Sequence, residues 1–307
     1  MANPSELEAL NQALSGIGVD EKLLVSILGK SHNEHKESMR TGCYKLFCED
    51  EHQFEWWNHN AIKNLKVEFK RFEDVVVLSL MHPWERDARL LKKALKKGPP
   101  QYNVIVEIAC TRSSDQLLGA RIAYHSLFDR SIEEDIVSNI KGSERKLLVA
   151  LVRAYRYEGP NVKKDTTRSE AKTLFNAIKN VDTRKVMEDD DVVNILSTRS
   201  KPHLKEVYTQ YMKLSDKTIT EELEVELLLK ETIECLCTPQ TYFTRVFDTA
   251  LRDDANEGAK KALTRLIVTQ EGGEMKEVAA KFEKQIEERV KGAYKDVLVG
   301  VLRKEEK

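Results

Sequence analysis

Apolar residues recur at three- and four-residue spacing along much of the chain, which is the pattern of amphipathic helices. The spacing is clear in LEALNQAL (7–14), ARLLKKAL (88–95), AKTLFNAI (171–178) and FTRVFDTAL (243–251). Leu, Lys, Glu and Ala are plentiful, whereas the 307 residues include only 13 glycines and 7 prolines. This composition favours helices over strands, so the pattern predicts an all-α protein.

The helical segments belong to a unit that occurs four times. LLVSILGKS (23–31) resembles VIVEIACTRS (104–113) and VVNILSTRS (192–200), with a weaker echo in LTRLIVTQE (263–271). Internal similarity at regular spacing indicates stacked repeats, here of roughly 65–85 residues with about five helices each. Each unit closes on a strongly apolar segment, namely VVVLSL (75–80), LLVALV (147–152), TIECLC (232–237) and DVLVGVL (296–302).

Net charge, apolar run lengths and cysteine spacing argue against nucleic-acid-binding, membrane-spanning and secreted proteins. The 50 basic and 51 acidic residues give a net charge of −1, so no global positive field favours nucleic acid, and we expect none as a partner. The start, MANPSELEAL, lacks the pattern of a secretory signal, and the longest apolar runs are too short to span a bilayer. Five cysteines without regular spacing fit a reducing compartment. These features predict a cytoplasmic protein.

The stretch GIGVDEKLLVSILGKS (16–31) starts with glycines and ends in Gly-Lys-Ser. A phosphate-binding loop needs the pattern GxxxxGK[ST], but the residue five before Gly29 is Leu24, and the intervening residues have a helical pattern. Ser31 is followed three residues later by Glu34, and Ser113 by Gln116, which is the spacing of a capping box. The sequence therefore predicts a helix end and a helix cap here, and it argues against a nucleotide hydrolase.

The glycine end of the same stretch suits a hard cation. Alternating glycines allow backbone conformations that turn carbonyl oxygens outward. Calcium takes six to eight oxygens and usually includes a carboxylate. A loop of carbonyls therefore needs an acid from elsewhere in the chain.

The fourfold unit, the GxGxDE loop (16–21) and the Thr-Arg-Ser repeats resemble those of plant annexins, and most of all those of a divergent subgroup of that family. HPWERDA (82–88), ACTRS (109–113), AYRYEG (154–159) and TRSK (198–201) carry the same resemblance, which covers essentially the whole chain. It implies four annexin repeats of five helices each, packed as a slightly curved disc whose convex face meets acidic phospholipid through calcium. The implied repeats are 1–82, 83–159, 160–238 and 239–307, called repeats 1 to 4 below.

The resemblance also implies one calcium site of the glycine type, in repeat 1. The carbonyl ligands fall on Leu14, Gly16 and Gly18, and the late carboxylate falls on Glu68. The alternative for Glu68 is a solvated charge on a helix. Secondary calcium positions of the kind that occur in annexins fall on Val19 with Glu21, or on Glu73.

The other three repeats depart from this pattern. Repeat 2 reads KKGPPQYN (96–103), and Asn139 stands where the acid is expected. Repeat 3 reads TRKVMEDDD (183–191), which is acidic but has no glycine. Repeat 4 reads RDDANEGAKKA (252–262), with Arg289 near the position of the acid. Asp253 and Asp254 there are either an improvised site or solvated loop charges, and we favour the second interpretation.

Other functions of this family remain as alternatives. Cys110 and Cys235 match a cysteine cluster that the resemblance links to redox behaviour, although a buried cysteine is more often a small apolar residue. Tyr44 stands at the position of a histidine associated with peroxidase activity. The resemblance places a set of charged residues along a central polar channel, where ion conduction competes with a structural role. They are Asp87, Glu107, Arg112 and Arg265.

The favoured function is therefore calcium-dependent binding to acidic phospholipid, without catalysis. The protein would be cytoplasmic and would move to membranes when calcium rises. Self-association on membranes, and binding to other annexins or to the cytoskeleton, stay open. Trp56 and Trp57 either dip into lipid or pack under their own loop, and we favour packing because acidic neighbours oppose approach to a membrane.

Overall fold

A computed structural model describes residues 4–13, 27, 33–62, 72–180, 183–223, 226–269 and 273–303. Helices dominate these ranges, so the predicted all-α class is confirmed. The elements are α1 (Pro4–Ala13), α2 (Asn33–Gly42), β1 (Phe47–Glu49), β2 (Glu55–Trp57), α3 (Phe72–Leu80), α4 (Pro83–Lys97), a 3₁₀ turn (Pro99–Gln101), α5 (Tyr102–Thr111), α6 (Ser114–Phe128), α7 (Ile132–Asn139), α8 (Glu144–Leu151), α9 (Lys164–Asn180), α10 (Thr183–Val186), α11 (Asp190–Thr198), α12 (Lys201–Met212), α13 (Ile219–Glu222), α14 (Leu227–Cys237), α15 (Pro239–Ala250), α16 (Glu257–Thr269), α17 (Gly273–Arg289) and α18 (Gly292–Leu302).

Helix boundaries follow local chemistry. The predicted capping box at Ser113 is confirmed, because the Ser113 side chain accepts from the Gln116 backbone N–H and the Gln116 side chain accepts from the Ser113 N–H. Thr218 and Glu221 close the same box at the start of α13. Such caps satisfy N–H groups that have no partner inside the helix. The matching pair at Ser31 lies outside the described residues.

The chain forms two compact units, one of residues 84–242 and one of residues 1–83 with 243–307. Within the first, α9 packs on α12 and α5 packs on α14. Within the second, α16 packs on α3, and α18 packs on α16 and α17. In the described ranges, no helix is long and apolar enough to cross a bilayer.

Matching buried networks recur 87 residues apart in the first unit. Asp135 accepts hydrogen bonds from a lysine Nζ and a tyrosine OH, both at 2.5 Å. Glu222 is held by a lysine at 2.9 Å and a tyrosine at 2.5 Å. Burial raises the pKa of both carboxyls, but these partners, together with Ser215 at Glu222 and Arg130 at Asp135, outweigh it and the net pKa values are lowered. The matched pairs are Lys92 and Lys179, Tyr124 and Tyr211, and Asp135 and Glu222.

These networks show that the sequence similarity between repeats 2 and 3 extends to tertiary contacts. Ser113 and Ser200, which both cap helices, have the same separation. The repeat boundaries after residues 82, 159 and 238 stay a prediction.

A short antiparallel hairpin interrupts the helices of repeat 1, and the sequence pattern did not predict it. Phe47 pairs with Trp57 and Cys48 with Trp56. The Trp57 side chain is fully buried, and its ring centroid lies 4.3 Å from that of Phe47. Trp57 therefore packs within its own loop, as expected, and Arg40 donates to Glu55 at 3.0 Å to join the hairpin to α2.

Candidate functional site

The predicted calcium ligands lie outside the described residues. This holds for Leu14, Gly16, Gly18 and Glu68, and equally for Val19, Glu21 and the side chain of Glu73. The structure does describe the corresponding segments of repeats 2, 3 and 4, and it shows what each of them holds.

The segment of repeat 2 has neither an open carbonyl loop nor an acid. Gly98 has a φ of 83° and leads into the Pro99–Gln101 turn, where two prolines fix the backbone. Asn139 stands at the position expected for the carboxylate, and its Nδ2 donates to the Asp135 carbonyl oxygen at 2.7 Å. A neutral amide bound to its own helix supplies no charge to a cation.

The acidic run of repeat 3 is used by the fold. Asp189 caps α11 by accepting from the Val192 N–H at 3.0 Å. Lys146 donates to the Glu188 carbonyl oxygen at 2.6 Å and lies 2.7 Å from Asp190 Oδ1. A helix start and a lysine therefore engage Asp189 and Asp190, two members of this acidic run.

In repeat 4 a guanidinium occupies the loop. Arg289 Nη1 donates to the Leu251 carbonyl oxygen at 2.7 Å and lies 3.6 Å from Asp253 Oδ1. Arg289 is at the position where the resemblance expects a carboxylate. A calcium ion would need a negatively charged ligand there, but Arg289 is positively charged and itself binds the loop carbonyl oxygen. Asp253 is fully exposed, which agrees with the favoured interpretation of solvated loop charges.

Elsewhere in the described ranges, no group of three or more His, Cys, Asp and Glu side chains has the arrangement of a metal site. Asn139 of repeat 2 and Arg289 of repeat 4 therefore offer a calcium ion no carboxylate at the expected positions. The signal for this was in the sequence, because Asn139 and Arg289 cannot act as carboxylates. The hydrogen-bond and ion-pair partners of Arg289 and Lys146 were found only in the structure.

The predicted channel charges are buried. In the first unit, Arg112 donates to both oxygens of Asp87, at 2.6 and 2.9 Å. Glu107 accepts from the Tyr242 hydroxyl at 2.8 Å. Arg265 is buried in the other unit. Asp87 and Arg112 thus form a bidentate pair, which is a structural use of these charges.

The predicted redox cysteines are fully buried thiols. Burial raises the pKa of Cys110 to about 11 and that of Cys237 to about 12, and it raises the pKa of Cys235 well above its usual value. Because the thiolate is the reactive form, these groups are poor nucleophiles at neutral pH. Tyr44, at the peroxidase-associated position, is 78% exposed.

We expect native protein to react with a thiol reagent such as DTNB mainly at Cys48. Cys48 is half-buried, whereas the side chains of Cys43, Cys110, Cys235 and Cys237 are buried. At pH 8 about one Cys110 group in a thousand would be ionised, so labelling of a Cys48→Ser variant should be at least tenfold slower than that of the wild type. Unfolding in guanidinium should expose all five thiols. Fast labelling of native Cys48→Ser would contradict this account.

A further contact was not found by sequence reasoning. Arg156, in the AYRYEG segment, donates to the carbonyl oxygens of Leu196 and Arg199, both at 2.7 Å. These carbonyls lie at the end of α11, where helix carbonyls need partners and a positive charge is favourable. Burial lowers the pKa of Arg156.

Comparisons with known proteins agree with the geometry. A family model described as Annexin matches residues 86–151 and 169–228. Annexin D4 of Arabidopsis thaliana is 46% identical over 99% of this chain and 99% of its own length. Among solved structures, annexin III gives a TM-score of 0.79 at 23% identity, covering 100% of this chain and 97% of that one. A calcium-bound annexin (Sm)1 gives a TM-score of 0.73 at 17% identity, covering 99% and 90%.

Proposed function

Because the chain belongs to the annexin family, whose members in general bind phospholipid membranes with calcium, we propose that repeat 1 provides its main calcium switch. The protein would act as a peripheral scaffold or calcium-responsive adaptor on acidic phospholipid membranes. One observation carries the proposal. In repeats 2 and 4, Asn139 and Arg289 stand where the resemblance expects the calcium-binding carboxylate, and each donates to a backbone carbonyl oxygen.

The donors that remain have suitable chemistry. The carbonyl oxygens of Leu14, Gly16 and Gly18 and the carboxylate of Glu68 would supply about five oxygens, fewer than the six to eight that calcium takes. Water or the phosphate oxygens of a lipid would complete the shell. The bound ion would supply the positive charge that joins an acidic loop to an acidic membrane.

A single site has consequences for the calcium response. Binding of a peripheral protein to a surface strengthens steeply when several sites engage together. With one main site, this protein would need more calcium for the same membrane affinity than a relative with several. It would be cytoplasmic at low calcium and peripheral on membranes when calcium rises, where self-association or binding to other annexins or the cytoskeleton could follow.

The alternative functions have weaker support. A calcium-independent scaffold or an ion-conducting protein would need binding or transport without the repeat 1 loop, and the channel charges Asp87 and Arg112 pair with each other. A peroxidase or nucleotide hydrolase would need groups that the sequence lacks. Tyr44 stands at the histidine position, and Leu24 stands at the first glycine of the phosphate loop.

The test is sedimentation with vesicles across calcium concentrations. We expect the wild type to bind vesicles of equal parts phosphatidylserine and phosphatidylcholine as calcium rises into the micromolar to millimolar range. At a salt concentration of about 0.15 M, where direct attraction between exposed charges is screened, excess EGTA should release most of the protein. Pure phosphatidylcholine vesicles should bind at least tenfold less, because neutral headgroups attract the bound cation weakly. If calcium changes binding to neither vesicle, the scaffold or channel function is favoured instead.

A further inference from the structure

A basic pocket lies in the unit formed by residues 1–83 and 243–307. It has a volume of about 390 Å³, within the range of small-molecule sites. The end of α15, the α16 helix, the end of α17 and the start of α18 line it. We define the basic pocket by its five positively charged residues, Arg252, Lys260, Lys261, Arg289 and Lys291.

The pocket has a strong local excess of positive charge. The five basic side chains are accompanied by two acidic ones, Asp253 and Glu257, so the lining carries a net charge of +3. The whole chain has a net charge of −1. Clustering of one sign of charge in a concave site focuses the field on an anion.

The acidic side chains are already close to positive partners. Asp253 Oδ1 lies 3.6 Å from Arg289 Nη1, which also donates to the Leu251 carbonyl oxygen. Glu257 stands four residues before Lys261 on α16, so the two share a helix face. Arg252, Lys260 and Lys291 therefore add three positive charges that these carboxylates do not offset.

Two neutral hydroxyls complete the wall of the pocket. Thr264 Oγ1 donates to the Lys260 carbonyl oxygen at 3.1 Å and lies 2.6 Å from the Tyr294 hydroxyl oxygen, so these hydroxyls bond within the wall. The arginine and lysine side chains are the donors that phosphate oxygens accept from. We propose that the basic pocket binds a phosphate group directly, without a calcium ion.

The location suggests how the pocket would act. It adjoins the repeat 4 loop, where the Arg289 guanidinium already holds the loop carbonyl. The positively charged side chains there would attract a phosphate group, as a bound calcium ion would in repeat 1. The phosphate could belong to a lipid headgroup or to a soluble phosphate ester, and both present the same oxygens.

The experiment compares two triple variants with equal charge loss, at low ionic strength in EGTA. The pocket variant carries Arg252→Gln, Lys260→Gln and Lys291→Gln. The control carries Lys45→Gln, Lys281→Gln and Lys284→Gln, which are exposed residues outside the pocket. Circular dichroism checks that both variants fold. Binding is measured with phosphatidylserine–phosphatidylcholine vesicles in equal parts, and with inorganic phosphate by calorimetry against chloride at matched ionic strength.

We expect the wild type and the control to bind at least one of the two probes, and the pocket variant to bind it at least tenfold more weakly. If this selective loss appears with vesicles, the source is a lipid headgroup. If it appears only with inorganic phosphate, the source is a soluble phosphate. Equal weakening of both variants, or no binding of either probe by the wild type, would overturn the proposal. Calcium-dependent binding through repeat 1 does not enter these measurements, since EGTA removes the ion.

Discussion

Replacing Arg112 with methionine is expected to lower the free energy of unfolding by about 3 kcal/mol or more. Asp87 is 2% exposed and Arg112 is 6% exposed. Without the arginine, the Asp87 carboxylate would stay buried, and Arg86, whose Nε lies 4.0 Å from Asp87 Oδ1, would remain as a more distant partner. A buried charge that loses its main partner keeps its full desolvation cost.

Urea denaturation followed by circular dichroism measures the effect. Arg303→Met is the matched control, because Arg303 pairs with Glu283 and Glu287 while 58% of its side chain is exposed. Exposed pairs contribute roughly 1 kcal/mol or less. Adding Asp87→Asn to Arg112→Met should recover at least half of the loss, since the uncompensated charge is gone. The account of this pair is wrong if Arg112→Met costs no more than Arg303→Met.

Calcium binding is expected to be weak in solution and at least tenfold tighter on acidic bilayers. One carboxylate and about three carbonyl oxygens resemble the weak calcium sites of extracellular modules, with dissociation constants on the order of 10⁻⁴–10⁻³ M. Lipid phosphate oxygens would complete the coordination. A tenfold gain corresponds to about 1.4 kcal/mol of coupling between calcium and lipid.

Isothermal titration without lipid, compared with the calcium midpoint for vesicle binding, measures that coupling. We expect a stoichiometry near one calcium ion per chain at most, because repeats 2 and 4 have an amide and a guanidinium in place of the expected carboxylate and the repeat 3 segment has no glycine. Tight binding of several ions without lipid would show that these loops bind calcium through ligands that this account does not assign.

Local signals predicted much of the fold. The amphipathic spacing in ARLLKKAL predicts α4, and Leu91 and Leu95 on that helix are buried. The Ser113 and Gln116 spacing predicts the start of α6. Such features depend on residues within one or two turns of a helix, and a sequence pattern therefore records them directly.

Contacts between distant residues were not predictable in the same way. Arg289 and Leu251 are 38 residues apart, and no local pattern indicates that their groups meet. The hairpin buries the rings of Phe47, Phe54 and Trp57, and its three-residue strands are too short for alternation to stand out. An alignment of repeats 2 and 3 at a shift of 87 residues could have found the networks around Asp135 and Glu222.

In the candidate site too, residue types could be predicted from the sequence, whereas contacts between distant residues could not. Asn139 and Arg289 were recognised from sequence as departures from the acidic position, because side-chain type alone excludes a carboxylate. Sequence reasoning did not assign Asp189 as a helix cap, although an aspartate before an apolar helical run favours that role. The role of Lys146 at Asp190 was not readable, because it links α8 to the start of α11 across 44 residues.

Vesicle sedimentation of the Glu68→Gln variant tests the central claim most directly. The matched control is Glu51→Gln, an exposed acid of the same repeat outside the predicted ligand set. With vesicles of equal parts phosphatidylserine and phosphatidylcholine, the calcium midpoint of Glu68→Gln should rise at least tenfold, since the predicted carboxylate ligand of the glycine-type site becomes neutral. The Glu51→Gln midpoint should match that of the wild type. A Glu68→Gln midpoint equal to that of the wild type would contradict the claim that repeat 1 provides the calcium switch.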